Sequence, residues 1–246
     1  CSFHINYLKR INMFDIFIIG GGINGSGVAR DATGRGYKVG LAEQFDFGSQ
    51  TSSWSTKLIH GGIRYLENYE FKLVRESLRE REIIFHIAKN ISKPLKFVLP
   101  HVSSLRPSWL IQIGLKLYDF LAGKSKLPKS KKINLSQLDN FISDDFKFGY
   151  QYSDLQIDDS RLTLLNLLDA QNRGAEIYNY TKVEKVQKLN GLWEIYLSNG
   201  KTLRSKILIN ASGPMILDSF QNVFKKTSNY EMKLIQGSHI VTNKLY

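Results

Sequence analysis

The sequence predicts an α/β fold that begins with a β-α-β unit, and three observations near its start predict it. Residues 14–19 are a short apolar run of the kind that forms a buried strand. Residues 24–36 carry small side chains on a helical pattern, and "YKVGLAE" at 37–43 is a second strand-like run that ends in an acid. Strand, helix and strand in this order form a parallel pair joined by a crossover helix, as in Rossmann-like folds.

Glycines occupy the corner between the first strand and the helix. Gly20, Gly22 and Gly25 give the pattern G-x-G-x-x-G. The first glycine permits a tight turn, the second lets the backbone approach a pyrophosphate, and the third lets helix and strand pack closely. Glu43, about 20 residues further on, is placed to accept hydrogen bonds from a ribose diol. This context predicts a dinucleotide site, and the alternative is a set of glycines that merely makes a turn.

The middle of the chain predicts helices on either side of a strand. Residues 68–89 form a long helix with one apolar face, made by Phe71, Val74, Leu78 and Phe85. A strand follows at 95–100, and a second helix at 107–122 opens with Pro107 near its first turn. A basic, proline-containing loop occupies 124–132.

The sequence predicts more strands than helices in the later part of the chain. Residues 146–158 indicate a strand and a turn, after which Asp158 or Asp159 caps a helix that a glycine ends. Residues 175–210 are typical of a β-meander, since two Asn-Gly pairs mark turns between short apolar runs. A last strand is expected at 238–246.

The composition is that of a folded protein with a strong basic balance. The 246 residues include 42% apolar and 12% aromatic side chains, which excludes an intrinsically disordered chain. The net charge of +12 is compatible with nucleic acid, anionic lipid or an anionic substrate, or with solvated lysines alone; no nucleic-acid motif accompanies it. The only cysteine, Cys1, leaves no disulfide within the chain and no cysteine metal site, which fits a cytoplasmic setting. No apolar stretch reaches the roughly 20 residues of a spanning helix.

Three features favour FAD over NAD as the dinucleotide. A loop rich in serine and threonine follows the second strand and offers hydroxyl and amide groups to a cofactor. The meander is an insertion found in flavoprotein folds and not in simple nicotinamide folds. The sequence contains no second G-x-G-x-x-G for a separate nicotinamide domain.

"IGGGINGSGVARDATGRG" is followed by "TSSWSTKLIHGGIRYLENYEFKLVRESLRERE", and "GYQYSDLQIDDSRL", "NASGP" and "GSHIV" come later in this order. Together these motifs resemble the FAD-dependent, quinone-linked (aerobic) glycerol-3-phosphate dehydrogenase family. The resemblance runs from Met13 to the end, and residues 1–12 are interpreted as an upstream extension. Because the family's chain is longer, this sequence is expected to be its N-terminal half, truncated at the C-terminus.

The resemblance implies oxidation of sn-glycerol 3-phosphate to dihydroxyacetone phosphate, with electrons passing through FAD to quinone. It also implies a cytoplasmic protein bound peripherally to the inner face of the cytoplasmic membrane. Two alternatives stay open: another amino-acid-oxidase-like flavoprotein, such as an oxygen-using glycerol-phosphate oxidase, and a flavin-binding fragment without catalysis. The oligomeric state is open, with a homodimer as one option.

The resemblance also assigns residues. It places Arg64 and Tyr65 in the substrate pocket, where an arginine fork suits a phosphate. His239 corresponds to a family histidine and is the candidate for a base or an orienter of the substrate hydroxyl. The residues that the resemblance places along the flavin are Ser52, Ser53, Lys57, Leu58 and Ile59. It places Val183 against the adenine, and the small residues expected beside the cofactor after the last meander strand are Ala211, Ser212 and Gly213.

Two interleaved domains are expected. The FAD-binding domain takes residues 13–75 and 146–225, a cap or membrane-facing segment takes 76–145, and residues 226–246 begin the sheet of the substrate domain. Helix 107–122 is either buried core or an interfacial membrane helix, and the lysines that follow it favour contact with anionic lipid.

Overall fold

A computed structural model describes the chain at residues 12–102, 104, 106–137, 146–235, 237–238, 240 and 242–243. The strands are β1 (Met13–Ile19), β2 (Val39–Ala42), β3 (Leu58–Ile59), β4 (Ser92–Pro100), β5 (Lys131–Asn134), β6 (Phe148–Ile157), β7 (Glu176–Tyr178), β8 (Val183–Leu189), β9 (Leu192–Leu197) and β10 (Thr202–Asn210). The helices are α1 (Ile23–Gly34), α2 (Phe71–Ile87), α3 (Ser108–Leu121), α4 (Asp159–Asn172) and α5 (Ile216–Asn222). Short 3-10 helices lie at Ile63–Asn68, Leu135–Gln137 and Gly213–Met215.

The chain divides into two compact units. Among the described residues, the first unit contains those up to Ser55 and those from Asp159 to Ser238, and the second contains Thr56–Asp158 together with Ile240, Thr242 and Asn243. The boundaries predicted from the sequence differ from these: the first, at residue 75, lies later than Ser55, and the second, at residue 145, lies earlier than Asp158. Pairing of β3 with the end of β6 joins the residues directly after Ser55 to the second unit. The assignment of the units to cofactor and substrate domains stays a prediction.

The first unit is built on a sheet with the strand order β7-β2-β1-β10-β9-β8. The first four strands are parallel, and β10, β9 and β8 are antiparallel neighbours. The predicted β-α-β unit is therefore present as β1, α1 and β2. The predicted meander is present as β8, β9 and β10.

Both faces of this sheet are covered by apolar side chains. Ile18 and Leu41 pack with the small residues Ala29 and Ala32 of α1 and with Ala170 of α4. On the other face, the buried aromatic rings of β1 meet the meander in a cluster that includes Phe14, Phe17, Ile195 and Leu197. Burying one such side chain contributes about 1.5–3 kcal/mol, so β1 fixes the centre of the unit.

One prediction about the meander is wrong. The sequence placed "EIYNY" as its first strand, next to β8. In the structure these residues form β7, which pairs in parallel with β2 at the opposite edge of the sheet, with Gly40 opposite Glu176. The physical reason is α4, which packs beside α1 and returns the chain to the far side of β2 as a crossover helix.

The second unit has a small antiparallel sheet and two helices. Strand β6 pairs with β4 along one edge and with β3 and β5 along the other. Val74 and Leu78 of α2 and Tyr118 of α3 form the buried cluster of this unit. Phe71 and Phe85, which the sequence put on the same apolar face, lie outside this cluster, and Phe71 is exposed.

The remaining differences concern where elements begin and end. Strand β4 starts at Ser92 and not at residue 95, because β6 continues the pairing as far as Ile157. Helix α2 starts at Phe71, after a separate 3-10 helix. Of the last strand expected at 238–246, the described residues Ser238, Ile240, Thr242 and Asn243 lie in no strand, and the others lie outside the described residues. Within the described part of the chain, no helix combines the length and the apolar character needed to cross a bilayer.

Candidate functional site

A cleft of about 140 Å³ lies in the first unit at the carboxyl ends of β1, β2 and β10. The chain leaves β1 through α1 to β2 on one side, whereas β10 lies on the other side, so the cleft occupies the switch point where ligands bind in open α/β sheets. The predicted cofactor residues that line it are Gly20, Gly22, Glu43, Ser52, Val183, Ala211, Ser212 and Gly213. The fold thus brings together residues from five separate parts of the sequence.

The glycine corner has no room for side chains at two of its three positions. A Cβ on Gly20 would lie 2.5 Å from the carbonyl oxygen of Ala211, and the φ of +106° disfavours any other residue there. A Cβ on Gly25 would lie 1.9 Å from the carbonyl oxygen of Gly20, so α1 can approach the end of β1 only with glycine at this position. The two glycines therefore fix the backbone of the corner.

Gly22 faces the cleft under a serine hydroxyl. The amide of Ile23, at the start of α1, donates to Ser52 Oγ at 2.9 Å, and a Cβ on Gly22 would lie 3.1 Å from the same oxygen. The first amides of a helix have no acceptor within the helix and attract anions. A bare backbone, a helix N-terminus and a hydroxyl at one wall fit the pyrophosphate of a dinucleotide.

The carboxylate of Glu43 is already engaged by the backbone. Its Oε2 accepts from the amide of Gly21 at 2.7 Å and its Oε1 accepts from the amide of Phe45 at 2.8 Å. Each carboxylate oxygen can accept a second hydrogen bond, so capacity remains for a ribose diol. Glu43 thus ties the end of β2 to the glycine corner, a structural role that the spacing alone did not indicate.

The opposite wall of the cleft consists of the segments that follow β7 and β10. The amide of Thr181 donates to the carbonyl of Glu43 at 2.7 Å, which places buried Val183 two residues further on beside the cleft. After β10, the hydroxyl of Ser212 donates to Asn210 Oδ1 at 2.6 Å. Ser53, the remaining predicted residue of the first unit, donates from its hydroxyl to the carbonyl of Gly48.

The other predicted site residues lie in the second unit. Lys57 precedes β3, whose residues Leu58 and Ile59 pair with Gln156 and Leu155. Arg64 and Tyr65 lie on the 3-10 helix Ile63–Asn68, and both are exposed. Among the described residues, Arg64 has no carboxylate partner within salt-bridge distance. His239 lies outside the described residues.

Glu67, the carboxylate on the same 3-10 helix, pairs with a different arginine. Arg106 donates to both oxygens of Glu67, at 2.6 and 2.8 Å. This pair holds the pKa of the Glu67 carboxyl below its usual value, mainly through the hydrogen bonds from Arg106. Glu67 therefore has a guanidinium partner other than Arg64, whose exposed guanidinium suits a phosphate.

Sequence reasoning missed a buried polar cluster in the second unit. Arg81 is 2% exposed and donates to Asp154 Oδ1 at 2.7 Å, and the hydroxyl of Tyr118 donates to the same oxygen at 2.8 Å. A signal was present, because Arg81 follows Val74 and Leu78 at helical spacing and so falls on the apolar stripe of α2. A charge on a buried stripe requires a buried partner.

Comparisons with known proteins agree with the architecture of the cleft. The profile of the family described as FAD dependent oxidoreductase matches residues 15–246. A glycerol-3-phosphate dehydrogenase of Pseudomonas aeruginosa is 46% identical over 238 residues, which are 95% of this chain and 46% of that protein. A D-erythritol 1-phosphate dehydrogenase of Brucella abortus is 46% identical over 239 residues, which are 94% of this chain and 48% of that protein. The chain spans about half the length of these curated relatives.

A solved structure of an FAD-containing protein has a similar fold. The glycerol-3-phosphate dehydrogenase from Bacillus halodurans complexed with FAD is 29% identical, with a TM-score of 0.60 over 85% of this chain and 36% of that protein. The α/β FAD-binding fold predicted from the sequence is confirmed, as is FAD as the cofactor. The individual site residues stay predictions.

Proposed function

The chain belongs to the FAD dependent oxidoreductase family, and from this premise we propose that the protein oxidises sn-glycerol 3-phosphate to dihydroxyacetone phosphate and passes the electrons to quinone. One observation carries the proposal: the 46% identity to the Pseudomonas aeruginosa glycerol-3-phosphate dehydrogenase extends over 95% of this chain. When bound, FAD supplies the acceptor for the hydride that leaves C2 of the substrate.

The residues at the cleft would hold the cofactor. Gly20 and Gly22 keep the backbone bare where the pyrophosphate would lie, and Ser52 accepts from the amide of Ile23 at the start of α1. The lone pairs that Glu43 does not use for Gly21 and Phe45 accept from the ribose hydroxyls. Val183 would contact the adenine through its backbone.

The substrate would be held by groups of a different kind. The guanidinium of Arg64 binds the phosphate through two parallel hydrogen bonds, and the hydroxyl of Tyr65 lies beside it. His239 accepts the proton of the C2 hydroxyl as the hydride leaves, so that the product carbonyl forms. Support for Arg64 comes from its exposure and from the pairing of Glu67 with Arg106.

A second substrate is favoured by one specific observation. The Brucella abortus D-erythritol 1-phosphate dehydrogenase is as identical to this chain as the Pseudomonas aeruginosa protein is. Both names describe phosphate esters of a polyol, so the two substrates share the groups that Arg64 and His239 would contact. The second candidate function is therefore oxidation of D-erythritol 1-phosphate by the same site.

Steady-state kinetics of the full-length, FAD-loaded protein test the proposal. We expect glycerol 3-phosphate to reduce an artificial dye with the highest kcat/KM, and glycerol without its phosphate to be a poor substrate. A higher kcat/KM for D-erythritol 1-phosphate would replace the first candidate by the second. Turnover with oxygen as fast as with dye or quinone would assign the protein to the oxidases, and no turnover with either ester would contradict the proposed function.

The proposal also includes contact of α3 and the segment after it with anionic lipid. Trp109, Ile113 and Phe120 of α3 are exposed, at 62%, 54% and 79%, and they leave apolar surface free for lipid. The lysines that follow α3 are Lys124, Lys126, Lys129, Lys131 and Lys132. An apolar helix face next to a basic segment fits an interfacial contact with anionic lipid.

A further inference from the structure

A hydrogen-bonded chain runs through the second unit and ends on a backbone amide. Its inner end is the ion pair of Arg81 with Asp154, both buried. Tyr118 is the next member, since its hydroxyl donates to Asp154 Oδ1 at 2.8 Å. The amide of Gly61 in turn donates to the oxygen of Tyr118 at 2.8 Å, and this bond is also buried.

The charge of Asp154 sets the direction of these bonds. Burial raises the pKa of the Tyr118 hydroxyl, and the neighbouring Asp154 raises it further, so Tyr118 keeps its proton. Because that proton is donated to Asp154, a lone pair of the hydroxyl oxygen is left for the amide of Gly61. Arg81 keeps the carboxylate paired in an interior where an isolated charge would be costly.

The backbone at Gly61, whose amide Tyr118 holds, is closely packed on the side chains of Leu78 and Tyr118. A Cβ on Gly61 would lie 2.5 Å from the side chain of Leu78 and 2.7 Å from the hydroxyl oxygen of Tyr118. Gly62 then takes a left-handed conformation with φ of +69°, and its carbonyl accepts from the amide of Tyr65 at 2.8 Å. The backbone thus passes directly from a buried anchor into the 3-10 helix Ile63–Asn68.

We infer that Tyr118, held by Asp154 and Arg81, is a positioning residue for the 3-10 helix that presents Arg64 and Tyr65 to the substrate. The inference rests on the proposed function, in which those two side chains bind the phosphate ester. A 3-10 helix this short has little stability of its own, so its place depends on contacts at its start. When the anchor is lost, the helix samples other positions and the fraction of molecules ready to bind substrate falls, which raises the apparent dissociation constant.

Tyr118→Phe in the full-length, FAD-loaded protein tests the inference. This change removes one hydroxyl and keeps the ring that packs on Val74 and Leu78. We expect KM for the phosphate ester to rise about tenfold, the equivalent of 1.4 kcal/mol, while kcat and flavin content change little. Hydrogen–deuterium exchange should become faster at the amide of Gly61 and through residues 63–68.

Tyr150→Phe is the matched control. Tyr150 is as buried as Tyr118, and its hydroxyl interacts with Ser108 Oγ at 2.6 Å and donates to the Ser108 carbonyl at 2.9 Å, at the start of α3. The control therefore loses a buried hydroxyl in the same unit without touching the Gly61 turn. We expect its KM and its exchange at residues 61–68 to match those of the parent.

The outcomes separate the inference from the proposed function. Equal changes of KM in Tyr118→Phe and Tyr150→Phe, or unchanged exchange at Gly61, would overturn the positioning role. A parent protein without activity on either ester would contradict the proposed function, whereas the exchange experiment would still decide whether Tyr118 holds the turn. If Tyr118→Phe does not fold, Asp154→Ala provides the second variant, because it removes the acceptor of the Tyr118 hydroxyl while Arg81 retains Glu82 at 3.0 Å. It should show the same KM rise and faster exchange, and normal values for both would overturn the inference.

Discussion

Ser52 and the first amide of α1 leave little space above Gly22, since their hydrogen bond is 2.9 Å long. At the scale of single residues, a Cβ on Gly22 would lie 3.1 Å from Ser52 Oγ, so this hydroxyl would have to move by a few tenths of an ångström. A larger residue would push the hydroxyl of Ser52 away, and it would also fill the space that we propose for the pyrophosphate. A side chain at position 22 would therefore occupy space needed both by Ser52 and by the proposed cofactor.

Gly22→Val should abolish most FAD binding. The added isopropyl group costs about 1–3 kcal/mol in a packed site, and here it would also exclude the pyrophosphate. The ratio of flavin absorbance to protein absorbance in the purified full-length variant measures the loss. Gly27→Val is the control, because no described atom other than those of the adjacent residues and the α1 backbone lies within 4 Å of a Cβ at that helical position. A Gly22→Val protein with the flavin content of the parent would contradict the proposed pyrophosphate position.

Arg64→Ala should weaken binding of the phosphate ester. Loss of a hydrogen bond to a charged group costs about 1.5–3 kcal/mol, so kcat/KM should fall roughly ten- to a hundredfold. Dye-reduction kinetics measure the change, and Arg79→Ala on the exposed surface of α2 is a control with the same loss of charge. Equal kcat/KM values for Arg64→Ala and the parent would remove Arg64 from the substrate site.

Between elements, α1 and α4 are joined by an ion pair as well as by small apolar residues. Arg30 on α1 donates to Asp169 on α4 at 2.8 Å, and Arg173 donates to the same carboxylate at 3.0 Å. The hydrogen bond from Arg30 is the main reason that the pKa of Asp169 lies below its ordinary value of 3.8. Both partners are partly solvated, so the pair contributes less than about 1 kcal/mol.

Acid should therefore remove the contribution of Asp169. A carboxyl whose pKa is lowered by folding stabilises the protein above its unfolded pKa, and this stabilisation is lost as the pH falls through the folded pKa. We expect Asp169→Asn to be slightly less stable than the parent near neutral pH, with the difference shrinking once the pH falls below the ordinary value of 3.8 and vanishing below the folded pKa. Urea unfolding of both proteins across pH measures it, and a difference that persists in acid would contradict the assignment.

The segment after α3 should control binding to lipid. Changing Lys129, Lys131 and Lys132 to Glu removes three positive charges, each worth about 1 kcal/mol near an anionic surface. We expect weaker sedimentation with anionic liposomes. The control changes Lys185, Lys188 and Lys201 on the meander to Glu, which alters the net charge equally. Equal liposome binding by the two variants would contradict a membrane contact at this segment.

At the scale of the whole molecule, the relevant fact is length: the chain spans about half the length of its curated relatives. In the first unit, Leu164, Leu165 and Leu168 of α4 are exposed and line a groove. We expect residues 1–246 expressed alone to aggregate, to hold FAD weakly and to show no dye reduction with glycerol 3-phosphate. Size-exclusion chromatography, flavin content and dye kinetics measure these three properties. A soluble, flavin-loaded monomer with turnover would contradict the expectation.

The sequence by itself determined the β-α-β unit, the glycine corner and the antiparallel part of the meander. These features depend on neighbouring residues: the absence of side chains at Gly20 and Gly25, the alternation of apolar runs, and the Asn-Gly pairs that form turns. The same local signals predicted which residues line the cleft at its glycine-rich wall. Local steric limits and the hydrophobic pattern depend on residues close together in the chain, so both can be read directly from a single sequence.

Only the tertiary structure decided how distant segments meet. Strand β7 joins β2 and not β8 because α4 packs beside α1, and Ser55 ends the first unit because β3 pairs with β6. The same holds for Arg81, whose burial depends on Asp154 more than 70 residues away in the chain. Such contacts join residues that are far apart in the sequence, and they form only when the chain folds back on itself. No pattern within one segment specifies which distant segment will be its partner.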